Sequence, residues 1–128
     1  MIDHTSLSVS NYEAAKKFYA AALAPLGIEL VMEFQKSMTG SVDTAGFGRK
    51  GKPFFWLANA GKTTPHIHLA FRAENRAQVK AFYDAAIAAG GRDNGGPGLR
   101  EIYHPKYYGA FVLDADGNNI EAVSHGPD

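Results

Sequence analysis

The chain has 128 residues, 45% of them hydrophobic, and a formal net charge of +0, with Lys+Arg 13 against Asp+Glu 13. Such a composition belongs to one folded domain, 1–128, and excludes a disordered chain. Balanced charge offers no basic field for nucleic acid or an acidic membrane, and with Cys 0 there are no disulfides, thiolate nucleophiles or cysteine metal clusters. The lack of cysteine fits a cytoplasmic protein. MIDHTS does not read as a secretory leader, and no apolar run reaches the roughly 18 residues of a membrane helix.

Ile2–Val9 alternates as a strand, with Leu7 and Val9 toward a core and His4, Ser6 and Ser8 on the other face. Ser10-Asn11 caps a helix that runs to about Leu23, with Ala15, Phe18, Tyr19, Ala22 and Leu23 on one stripe and Pro25 beyond its end. Three strands are predicted to follow, over Ile28–Phe34, Val42–Phe47 and Pro53–Ala58, with a polar connection at Gln35–Ser41 and a turn at Lys50-Gly51-Lys52. In the last of them Phe55 lies on one face and Phe54 and Trp56 on the other. Asn59–Thr64 reads as a linker.

The order then repeats. Pro65–Ala73 alternates His66, His68, Ala70 and Arg72 against Ile67, Leu69, Phe71 and Ala73. Asn75 caps a second helix whose stripe is Val79, Phe82, Tyr83, Ala86 and Ile87, ending at Gly90-Gly91. Asp93–Gly98 is a glycine-rich loop. Strands are expected at Leu99–Tyr103, Tyr107–Leu113 and Ile120–Ser124, with a hairpin turn at Asp114–Asn119. His4 and His68, Phe18 and Phe82, and Tyr19 and Tyr83 share one separation of 64 residues. One offset across strand and helix marks an internal repeat. The expected fold is α+β, with two paired βαβββ modules, about 1–60 and 64–125. They are expected to form one curved sheet around a central cup, with the helices outside.

In that arrangement His4 and His68 come together, and the last strand adds Glu121. Two imidazoles and one carboxylate can hold Fe, Mn, Zn or Ni with open positions for substrate. The same residues taken singly are a strand histidine near the terminus and a carboxylate paired with Arg100 or Lys106. His66, beside His68, is a candidate lining residue or a polar residue at the strand mouth. In YHPKYY, His104, Tyr107 and Tyr108 are candidates to orient an oxygen-rich substrate or supply a proton. Arg100 is a candidate anion clamp, and Phe55 a pocket wall or plain core.

DHTSLSVSN with FYAAALAPLG, PHIHLAFRAEN with FYDAAIAAGG, and GAFVLDADGNNIEAV together resemble the glyoxalase/bleomycin-resistance/extradiol-dioxygenase superfamily, the vicinal oxygen chelate proteins. The resemblance spans nearly the whole chain. It implies paired βαβββ modules, a homodimer in many members, and a divalent metal held by His4, His68 and Glu121. Glyoxalase I enzymes add a fourth ligand from the last strand of the first module. Here that place falls nearest Phe55 in PFFWLA, with no Glu or Gln, which turns the pattern away from glyoxalase I and toward dioxygenases. The implied function is a metal-dependent lyase, isomerase or dioxygenase acting on a small substrate with vicinal oxygens. The alternative is a non-catalytic small-molecule binder of the bleomycin-resistance type.

Overall fold

The computed structural model describes residues 1–126. Its first half contains β1 (Thr5–Ser8), α1 (Tyr12–Leu23), β2 (Glu29–Phe34), a short helix α2 (Lys36–Thr39), β3 (Thr44–Arg49) and β4 (Lys52–Ala58). The second half contains β5 (His68–Arg72), α3 (Arg76–Ala88), β6 (Arg92–Asp93), β7 (Gly98–Leu99), β8 (Tyr108–Leu113) and β9 (Asn119–Ser124).

Both long helices begin where the sequence places their caps. The Asn11 side chain accepts from the Ala14 amide at 3.1 Å and the Asn75 side chain from the Gln78 amide at 2.9 Å, each satisfying an otherwise free donor of the first turn. A 3-10 turn over Ala24–Leu26 follows α1, and Gly27 closes it in the left-handed region at φ 76. The turn between β3 and β4 has Lys50 at φ 52 and Gly51 at φ 75, the twisted geometry a tight hairpin needs. Two expectations fail locally. The polar connection after β2 holds the four-residue α2. The strand expected over Leu99–Tyr103 is only Gly98–Leu99, because the Arg100 carbonyl accepts from the amides of Tyr103 and His104 and folds the segment into a turn.

The two halves build two mixed sheets, ordered β1-β4-β3-β2 and β5-β9-β8-β6, with β7 also on β8. In each, the lead strand runs parallel to the last strand of its module. This corrects the expectation of one curved sheet around a central cup. The sheets are separate, and neither curls or closes; β1 and β5 are both edge strands and do not pair with each other. Apolar burial explains the arrangement. Tyr19, Phe47, Phe55, Phe71, Phe82 and Ile120 belong to one core drawn from both modules. Phe55 of β4 and Phe71 of β5 meet edge to face at 5.2 Å. Thus the apolar faces of both sheets turn inward to a shared core, and the faces carrying His4 and His68 turn away from it.

The turn between β8 and β9 ties the halves together. The Tyr19 hydroxyl donates to Asp114 at 2.5 Å in the interior, and Asp116 accepts from the Ser10 hydroxyl at 2.5 Å and the Ser10 amide at 2.9 Å. Burial, then Asp114, raise the Tyr19 phenol well above its ordinary pKa, so it stays a donor. Asp114 is itself held by Asn118, whose backbone and side-chain N–H groups both donate to it.

Candidate functional site

The outer face of the second sheet carries a polar cluster. Glu121 is 0% exposed, yet its neighbours Ile120 and Ala122 are the residues whose side chains belong to the core. Its carboxylate is satisfied from two sides. His68 Nε2 lies 2.8 Å from Oε1, and the Tyr107 hydroxyl donates to Oε2 in a short hydrogen bond. A buried carboxylate needs such partners. The site is roomy enough for them because residue 109 is glycine; a Cβ there would stand 3.2 Å from both Glu121 Oε2 and the Tyr107 ring. Burial and the bond to Glu121 push the Tyr107 phenol well above its ordinary pKa. The His68 side chain remains 52% exposed, so the cluster opens to one side.

Around this core sit several other predicted residues. His68 also neighbours the Phe111 ring at 6.2 Å, and the Arg100 guanidinium lies 5.4 Å from the same ring centroid while donating to the Gly96 carbonyl. His104 and Tyr107 both pack edge to face on His125, at 5.8 Å and 5.2 Å. His125 had drawn no attention in the sequence; its position just after β9, among YHPKYY side chains, gives no periodic signal. Tyr108 is buried under Arg76, 5.0 Å from the guanidinium carbon. His66 is exposed and precedes β5. Phe55 is fully buried between Tyr19, Phe47 and Phe71 and also lines a cavity of about 380 Å3 between the edges of the two sheets.

His4 lies elsewhere. It precedes β1, on the outer side of the first sheet, and its Nδ1 is 2.7 Å from the Asp3 carboxylate. Among the described residues no group of three His, Asp or Glu side chains is placed to hold a metal ion. The donor chemistry of His68 and Glu121 fits a divalent metal, one imidazole nitrogen and one carboxylate at contact distance. The third expected ligand is on the other sheet.

Strand register also relocates one expectation. In the first sheet Thr5 pairs with Phe55 and Ser6 with Trp56; in the second, Leu69 pairs with Ile120 and Ala70 with Glu121. The place equivalent to Glu121 in the first module is therefore Trp56, not Phe55.

The Glyoxalase/Bleomycin resistance protein/Dioxygenase superfamily pattern matches residues 1–122, and the chain belongs to that superfamily. Among solved structures, it is 32% identical to a glyoxalase/bleomycin resistance protein from Albidiferax ferrireducens T118, over 95% of this chain and 97% of that one, with a TM-score of 0.77. Glyoxalase I from Zea mays is similar at 20% identity and a TM-score of 0.70, over 96% of this chain and 45% of that one. A glyoxalase/bleomycin resistance protein/dioxygenase family enzyme from Burkholderia phytofirmans PsJN is similar at 15% identity and a TM-score of 0.69, over 98% of each chain. No curated protein sequence matches. Among the described residues no helix is long and apolar enough to cross a membrane.

Proposed function

We propose that the chain is a divalent-metal-dependent enzyme of the lyase, isomerase or dioxygenase type, acting on a small substrate with vicinal oxygens. We further propose that it acts as a cytoplasmic homodimer, with His68 and Glu121 of one copy and His4 of a second holding the metal. The observation that carries this is the His68–Glu121–Tyr107 cluster: a buried carboxylate with an imidazole at 2.8 Å, open on one side, on a fold whose two histidine-bearing faces both turn outward. Outward faces cannot meet within one chain, but they can meet across a two-fold axis, where each surface is used twice.

When bound, Fe, Mn, Zn or Ni supplies Lewis-acid stabilisation to adjacent substrate oxygens. The chain's own groups do the rest. Glu121 brings the negative charge and His68 a neutral nitrogen. The Tyr107 hydroxyl donates to Oε2 and so fixes the orientation of the carboxylate. Arg100, on the Phe111 ring beside His68, is assigned the anion clamp. His104, against His125, is assigned to the mouth of the same site with His66; Tyr108 and Phe55 belong to the core behind the sheets and are given no part in it.

Metal analysis after reconstitution tests the reading. The wild-type chain is expected to hold about one metal per copy, and H4A, H68A and E121A to hold almost none while remaining folded. Mixing unfolded H4A and H68A chains and refolding them together should restore about a quarter of the wild-type content, because half of the dimers are mixed and each mixed dimer keeps one of two sites. Failure of wild type to take up any of the four metals overturns the enzyme reading. It would favour a non-catalytic small-molecule binder, the reading that the separation of His4 from His68 in one chain supports.

A further inference from the structure

The lead strands β1 and β5 are both sheet edges and do not pair with each other. The cavity of about 380 Å3 between them is within the range that holds a small organic ligand. Both modules build its floor. Phe55 and Phe71, buried members of the shared core, line it together with Ile28 and Leu69. The two phenylalanine rings stand at 83° to each other, so the floor offers no flat slot for a planar ring. A flexible hydrocarbon chain can follow such a corner, and covering the apolar floor gains about 25 cal/mol per Å2 removed from water.

The rest of the lining is charged, and unevenly so. Arg49 at the end of β3 and Arg72 at the end of β5 bring two guanidiniums, one from each module, and Asp3 brings the single carboxylate. That carboxylate already has a partner, His4 Nδ1 at 2.7 Å. Arg49 is anchored by its Nη2, which donates to the Leu26 carbonyl at 2.6 Å. Among the described residues neither guanidinium has an acidic partner: the ion pairs there join His4 to Asp3, Lys16 to Glu13 and Glu33, and His68 to Glu121. Two guanidiniums without carboxylates, beside an apolar floor, are complementary to an anion with an apolar tail.

We propose that this cavity binds a free medium-chain aliphatic carboxylate, its chain laid over Phe55, Phe71 and Ile28 and its head group held by Arg49 and Arg72. A carboxylate suits a guanidinium because its two oxygens match the planar fork of N–H groups. A chain, not a ring, suits the crossed phenylalanines. The cavity shares no residue with the His68–Glu121–Tyr107 cluster and needs no metal, so the proposal stands or falls independently of the metalloenzyme reading.

The full chain, treated with chelator, is titrated in a calorimeter with octanoate, hexanoate, octan-1-ol and octylamine. Saturable binding of about one octanoate per chain is expected. Hexanoate, two methylenes shorter, should bind roughly tenfold more weakly, and the alcohol and the amine weaker than octanoate by about tenfold or more. R49M and R72M should each weaken octanoate roughly tenfold. R49M also gives up the bond to Leu26, so R72M, which breaks no ion pair among the described residues, is the decisive variant. A70F places a ring in the cavity lining and should abolish binding, with circular dichroism checking that the fold is kept. No saturable octanoate binding, equal binding of the alcohol or the amine, or an unchanged affinity in R72M or in a folded A70F overturns the proposal. So does an octanoate affinity that falls as protein concentration rises, which would mean that a second copy covers the cavity.

Discussion

The two modules share a topology and differ in what they show to the outside. Each has its lead strand beside its last strand, a capped helix, and an apolar inner face. On the outer face, the position that holds Glu121 in one holds Trp56 in the other; across the sheet from these stand Phe111 and Gly46. Large and small have changed places as well as polar and apolar. Buried backbone and core fix the fold, and the outer register position is free to carry chemistry, which is why one scaffold can present a hydrogen-bonded carboxylate on one side and an indole on the other.

The equivalent tyrosines give the strongest way to break this pairing. Tyr19 is 0% exposed, packs on Phe18 and Phe55, and donates to Asp114, whereas Tyr83 is only partly buried and donates to Asp93 at 3.0 Å. Tyr19→Ala should cost about 3–5 kcal/mol of unfolding free energy, and Tyr83→Ala about 1 kcal/mol or less, both read by denaturant unfolding. Equal costs would show that the repeat is symmetric in energy as well as in sequence.

A substitution at position 109 comes next. Gly109→Ala places a methyl 3.2 Å from Glu121 Oε2 and the Tyr107 ring, and should cost about 1–3 kcal/mol by displacing that hydrogen bond. Proteolytic susceptibility and the ultraviolet titration of tyrosine check it. Loss of the bond lets the Tyr107 phenol fall back toward the ordinary range, so wild type should titrate at higher pH than the variant.

The smallest effect is at the surface of the first module. Glu33 accepts from Lys16 at 2.7 Å and from Tyr12 at 2.8 Å, and Lys16, then Tyr12, hold its carboxyl below the usual range. A carboxyl with a lowered folded pKa stabilises above its unfolded pKa and loses that contribution as pH falls through the folded value. Lys16 is shifted upward by Glu33, so its contribution is present below its unfolded pKa and fades as pH rises through its folded one. Lys16→Met should therefore cost well under about 1 kcal/mol at neutral pH, and the difference from wild type should shrink below about pH 4. A difference that persists in acid would assign the effect to packing of the lysine stem.

Much of the fold was legible in the residues. Caps at Asn11 and Asn75, the stripes of both helices apart from Ile87, which lies exposed at the end of the second, and the alternation around Phe55 and His68 all follow from short-range physics that a single chain displays. How two sheets pack does not. Alternation says that His4 and His68 avoid the core, but it does not say whether the two polar faces meet or point apart. That choice was settled by the shared core of Phe55, Phe71 and Tyr19. The offset of 64 residues located the histidines and tyrosines, yet Trp56 and Glu121 stand 65 residues apart, so carrying the offset along the chain misses their equivalence by one. A one-residue slip flips a side chain to the other face of a strand. The Phe34–Trp56 ring pair on the outer face of the first sheet had a signal in Trp56 lying on the strand face opposite Phe55, but each large aromatic also reads as core.

The turn at Asp114–Asn118 has a consequence for how the molecule comes apart. Its carboxylates hold Tyr19 and Ser10 of the first module while its flanking strands belong to the second. Unfolding of either half strands a buried carboxylate or a buried phenol without its partner, which raises the free energy of every half-folded species. The two modules are therefore expected to melt in one cooperative transition, with near- and far-ultraviolet circular dichroism changing together.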